Sequence, residues 1–199
     1  MGTDAVTLIQ DDHRLLESLF QQLHAGEGDR RTLVDEVAAR LTAHARAEEE
    51  EVYPAITAAD PAEEDEVEHA YEEHDEAVHH LLKVVNLVGS PHFEQALSEL
   101  VEAVRHHVEE EETEVLPALR DAVDGKTLER LGAAFARVRA EALEQLGFAA
   151  EAAPAGATTT DDLGDATRDD LYEMAKEADI SGRSSMNKEE LTEALREQG

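Results

Sequence analysis

The sequence predicts an all-α protein: an up-down-up-down four-helix bundle with an additional fifth helix and a small C-terminal helical module. Three observations carry that prediction. Aromatic residues are only 4 % of the 199-residue chain and Trp is absent, so the core must come from Leu, Val and Ala, a composition that suits helices. Apolar residues recur at intervals of three and four, the period of a helix face that packs in a bundle. The breaks between these stripes are short, which makes sequential helices antiparallel neighbours.

The first helix is expected over residues 4–24, with Ile9, His13, Leu16, Phe20 and Leu23 on one stripe, before the AGEGD break. The second, over 32–58, carries Leu33, Val37, Leu41, His44, Glu48 and Val52. A third starts near Pro61 and aligns Val67, Tyr71, His74, Val78, Leu81, Val85 and Val88 before GSP. The fourth aligns Phe93, Leu97, Leu100, Val104, His107, Glu111 and Val115. A fifth, over 124–147, presents Leu128, Leu131, Phe135, Val138 and Leu146 and is expected to cap the bundle. Residues 1–148 thus form one domain, and the Ala, Pro, Gly and Thr-rich stretch 149–160 reads as a linker. In the module 161–199, Thr167 with Asp170 and Asn187 with Glu190 have the spacing of helix-starting pairs.

Charge narrows the function. Asp and Glu number 48 against 17 Lys and Arg, a formal charge of -31 that repels nucleic acid and anionic membranes. With no cysteine, any metal site must use imidazole and carboxylate. The first residues lack a basic region followed by an apolar core, and no apolar run approaches membrane length, so a cytoplasmic protein is expected. No phosphate-cradling glycine loop and no Ser/His/Asp set stands out.

The strongest signal is an internal repeat, HARAEEEEVYP at 44–54 and HVEEEETEVLP at 107–117. Each copy has a Glu four positions after its His and a Pro ten positions after it. Each is preceded by a helix with a His on its apolar stripe, His13 in LIQDDHRLLESLF and His74 in AYEEHDEAVHHLL. A spacing of four puts His44 with Glu48, and His107 with Glu111, on one helix face. Four imidazoles and two carboxylates on Leu/Val stripes would be costly to bury unpartnered, at roughly 1–3 kcal/mol for each unsatisfied group, and a metal pair answers that cost. His106 repeats the spacing with Glu110, but the stripe through Leu100 and Val104 selects His107 with Glu111. Tyr71, one turn before His74, is a candidate hydrogen-bonding or redox neighbour of the metal.

These segments resemble the hemerythrin-like, or HHE cation-binding, family over residues 5 to about 120. The resemblance implies a four-helix bundle around two non-haem iron ions joined by an oxo or hydroxo bridge. It assigns His13 and His44 to one iron, His74 and His107 to the other, and Glu48 and Glu111 to bridging positions. Oxygen-carrying members generally have a fifth histidine, one turn before the counterpart of His74; here that position is Ala70. The departure turns the expectation from reversible oxygen carriage towards O2, H2O2 or NO binding with catalase-like decomposition of hydrogen peroxide. An iron or oxygen sensor, or a transient iron-binding protein without turnover, is the alternative, and nitrogen and oxygen ligands also accommodate zinc or manganese. The C-terminal segment resembles the small helical module at the amino end of the Rho termination factor, with similarity to SAP-type modules. Its acidic balance favours a protein partner over nucleic acid.

Overall fold

The computed structural model describes residues 3–148 and 186–188. The expected linker 149–160 and, apart from those three residues, the module 161–199 lie outside the described residues.

All regular structure among the described residues is helical. The helices are α1 (Ala5–Ala25), α2 (Arg30–Ala47), α3 (Tyr53–Ala59), α4 (Glu64–Asn86), α5 (Phe93–Glu110), α6 (Leu116–Ala122) and α7 (Gly125–Gln145). Three helix starts share one device, an Asp whose carboxylate accepts the backbone N–H three residues on. Asp4 takes Thr7, Asp29 takes Thr32 and Asp124 takes Thr127, at 3.0, 2.9 and 2.8 Å. Each bond satisfies an otherwise orphaned helix N–H. Gly26, at φ 68°, supplies the left-handed residue that ends α1.

The sequence predicts an unbroken second helix over 32–58, and the fourth reads the same way. In the structure each is widened by a π turn, Glu48–Val52 between α2 and α3 and Glu111–Val115 between α5 and α6. The prolines of the repeat account for this. Pro54 and Pro117 offer no N–H to close an ordinary turn, and their rings would strike the carbonyl four residues back. Instead the preceding residue bonds one position farther, the N–H of Tyr53 to the carbonyl of Glu48 and that of Leu116 to Glu111. Both π turns therefore start on a glutamate of the repeat, a placement common at functional sites.

The apolar core lies in two clusters. One gathers Leu16, Phe20, Leu41, Phe93, Leu97 and Val104; the other gathers Ile9, Val52, Tyr53, Ile56, Leu116 and Phe135. Along α1, α2, α4 and α5 the striped histidine falls between residues of the two clusters, so the polar side chains form a layer sealed by hydrocarbon at both ends. On α4 the buried series is Val67, Ala70, His74, Ala77, Leu81 and Val84. The expected Tyr71 and Val78 are 37 % and 42 % exposed and Val88 lies beyond the helix; both series keep a three-four period, and packing against the neighbouring helices selects Ala70, Ala77 and Val84. Leu146, expected on the fifth stripe, is likewise exposed.

The fifth helix does more than cap. α7 lies along α1 and α2, with Ala39 and Ala43 against Ala142 and Leu143 forming a close small-residue seam. Gly132 admits the chain entering α1, since a Cβ there would overlap the Thr3 carbonyl oxygen and stand 2.9 Å from the Ala5 nitrogen.

Candidate metal centre

Six polar side chains are buried in the bundle: His13, His44, Glu48, His74, His107 and Glu111, each at most 5 % exposed. They are the six that the repeat and the stripes single out. Helix period explains the burial, for each lies one turn from a buried apolar residue, Ala70 and Ala77 in the case of His74. His106 is 62 % exposed on its side chain, so the fourth-helix register chosen from Leu100 and Val104 is the one observed.

The six divide into two groups that share Glu48. Ligand atoms of His13, His44, Glu48 and Glu111 lie within 4.8 Å of one another, as do those of Glu48, His74 and His107. Within the first group His13 Nε2 is 3.2 Å from Glu111 Oε2, and His44 Nε2 is 3.1 Å from Glu48 Oε1. Within the second, His74 Nε2 is 3.3 Å from the other Glu48 oxygen. Glu111 also approaches the second group, its Oε2 being 3.9 Å from His107 Nε2. Both carboxylates thus stand between the histidine pairs. The second group is poorer by a donor, and the buried methyl of Ala70 lies one turn from His74.

The donor atoms fit a cation. His13 Nε2, His44 Nε2 and all four carboxylate oxygens of Glu48 and Glu111 are buried without a hydrogen-bond partner, a state that native interiors rarely tolerate. Across the centre His74 Nε2 meets His107 Nε2 at 3.2 Å, two nitrogens crowded together.

Behind the rings stands an arrangement that the sequence reading missed. The Nδ1–H of every one of the four histidines donates to a carboxylate: His13 to Glu112 at 2.8 Å, His44 to Asp12 at 3.3 Å, His74 to Glu49 at 2.8 Å and His107 to Glu73 at 2.9 Å. Such bonds aim each Nε2 inward and raise its basicity as a ligand. Asp12 is itself bound to Arg139 of α7, and the Phe135 and His44 rings meet edge to face with centroids 5.8 Å apart. α7 is therefore a wall of the first half-site.

Tyr71 does not reach the rings. Its hydroxyl donates to the Glu49 carbonyl at 3.2 Å, and its ring packs on Tyr53. The phenol at the centre is Tyr53, fully buried, its oxygen 3.3 Å from His74 Nε2 and its ring stacked on that imidazole. The sequence signal was the YP that ends the first repeat, where the π turn brings Tyr53 inward.

Charge follows from this geometry. Burial disfavours a charged His44, yet Glu48 and Asp12 outweigh it and hold its pKa well above the usual value. Burial likewise opposes charge on His74, but Glu48 and Glu49 push it up to about 9. Glu48 is held well below the carboxylate range, its desolvation overcome by His44 and His74. Burial, then the fields of Glu48 and Glu111, raise the Tyr53 phenol well above its ordinary value, so it keeps its proton.

Comparison with known proteins agrees with the architecture. The family described as Hemerythrin HHE cation binding domain matches residues 4–119. No curated protein matches the chain. The crystal structure of a hemerythrin HHE cation binding domain-containing protein from Mycobacterium kansasii superposes with a TM-score of 0.61 at 24 % identity, covering 73 % of this chain and 93 % of that one. Matched over more than half its length, and with its His/Glu groups placed to hold metal, the chain belongs to the hemerythrin HHE cation-binding family.

Proposed function

We propose that His13, His44, Glu48, His74, His107 and Glu111 hold two non-haem iron ions, and that the pair binds O2, H2O2 or NO and decomposes hydrogen peroxide. The observation that carries this reading is the set of inward donor atoms without hydrogen-bond partners, arranged as two groups that share one carboxylate. Imidazole with carboxylate suits redox-active iron, which when bound supplies Lewis acidity and one-electron chemistry at this point.

The chain's own residues do the positioning. Glu48 and Glu111 keep the half-sites together, and their negative charge offsets that of two cations. Glu112, Asp12, Glu49 and Glu73 hold the rings in place. Tyr53 remains a protonated donor beside the three-donor half, where Ala70 supplies no ligand. A groove between α1 and α5 leads to His13 past Leu16, Phe20, Val104 and Val108, with the Arg105–Glu17 ion pair beside it. Arg14, Glu109 and Glu112 also line it, so an apolar floor is rimmed by charge of both signs.

The test is anaerobic reconstitution with ferrous iron, followed by metal analysis, exposure to oxygen and a peroxide consumption assay. Two irons per chain, an oxygen-dependent optical spectrum and peroxide turnover are expected. Less than one iron per chain would reject the centre. Two irons without turnover would leave the sensing or transient iron-binding role.

A further inference from the structure

Outside the buried centre, α4 and α5 carry a second pair of His/Glu sequences with the same spacing, His69 with Glu73 and His106 with Glu110. The i, i+4 interval stacks each pair on one face. The pairs meet across the α4/α5 contact. His69 Nε2 is 3.3 Å from Glu110 Oε2, and His106 Nε2 is 3.3 Å from Glu110 Oε1. Glu73 Oε1 faces both rings, at 4.0 Å from His69 and 3.8 Å from His106. Ligand atoms of His69, Glu73 and Glu110 lie within 4.8 Å of one another.

Glu73 distinguishes this cluster from ordinary surface charge. Its side chain is only 9 % exposed, and its Oε1, aimed between the two histidines, is buried with no hydrogen-bond partner. Its other oxygen accepts from His107 Nδ1. A buried carboxylate oxygen directed at two half-exposed imidazoles lacks the cation that would satisfy it. His69, Glu73 and Glu110 make a converged three-donor nitrogen and oxygen set, with His106 beside it on the other Glu110 oxygen, suited to a divalent transition-metal ion such as zinc.

We propose that His69, Glu73, His106 and Glu110 form a second, surface-accessible site for a divalent transition-metal ion. The site shares Glu73 with the buried centre, one oxygen facing the outer ion and the other holding His107. Its donors differ from the six buried residues, and it touches the centre only through Glu73.

The test is a Zn2+ titration of the full-length chain, followed by calorimetry and by zinc analysis after removal of excess metal. It compares the parent with a His69→Ala/His106→Ala double variant and with His79→Ala as an exposed-histidine control. Both altered side chains of the double variant lie largely in solvent, so the fold should persist, as circular dichroism would verify. The parent and the control should bind one zinc more per chain than the double variant, and Glu110→Gln should weaken that equivalent by at least about tenfold. Equal zinc stoichiometry in the parent and the double variant would overturn the proposal. Failure of iron to enter the buried centre would leave this result unchanged, so the two readings fail separately.

Discussion

Glu48 reaches both histidine pairs with one carboxylate, placing Oε1 3.1 Å from His44 and Oε2 3.3 Å from His74. Glu50, two residues on, instead pairs with Arg46 at the surface. Glu48→Ala should therefore weaken retention of the metal pair by more than about 100-fold, beyond the range typical of groups behind the ligands. Glu50→Ala should leave it unchanged. Metal content after dialysis against a chelator series decides the matter, and equal retention in both variants would remove Glu48 from the bridging position.

The carboxylates that receive Nδ1–H act through the imidazoles. Glu112→Gln and Glu49→Gln keep the shape but lose the charge behind His13 and His74. Each is expected to lower metal affinity by roughly 10- to 100-fold with little change in helix content. Exposed Glu114→Gln is the control. Affinities matching the parent would show that ring orientation is fixed by packing alone.

In the metal-free protein the histidine and glutamate charges stabilise one another, which sets a pH dependence. His74 is raised to about 9 from an ordinary value of 6.5. A raised pKa contributes stability that is fully present below the unfolded value and is lost as pH rises through the folded one. Glu48, held low, contributes in the opposite sense, with stability lost only as pH falls through its depressed value. Metal-free protein should accordingly unfold at a lower temperature at about pH 10 than at about pH 7. His74→Gln should flatten that decline. A metal-free parent with a level melting temperature across this window would contradict the charged pairing.

Gly132 tests the docking of α7. Ala is better than Gly in a helix by about 1 kcal/mol, so propensity alone predicts that Gly132→Ala stabilises. The overlap of its Cβ with the Thr3 carbonyl and the start of α1 predicts the reverse, a net loss of about 1–3 kcal/mol from overpacking. Urea unfolding at matched metal occupancy measures the sign. A stabilised variant would mean that the residues before α1 move aside freely.

The sequence alone determined where the chain is helical, most of each buried stripe and which six polar side chains are buried, because those follow from local period. His44 with Glu48 and His107 with Glu111 share a face wherever the backbone is helical, and Leu100 with Val104 was enough to choose His107 over His106. Tertiary structure decided what local spacing cannot reach. The acids behind the rings stand 99, 32, 25 and 34 residues from their histidines. Among 48 acidic residues only the packing of one helix on another selects those four. The π turns depend on prolines within helices that the core holds together, and they bring Tyr53 rather than Tyr71 to the imidazoles. α7 is positioned by a contact at Gly132 and a seam of alanines, where close approach of two backbones matters more than the apolar stripe. Periodicity records which face of a helix is buried, and the relative placement of helices records what that face meets.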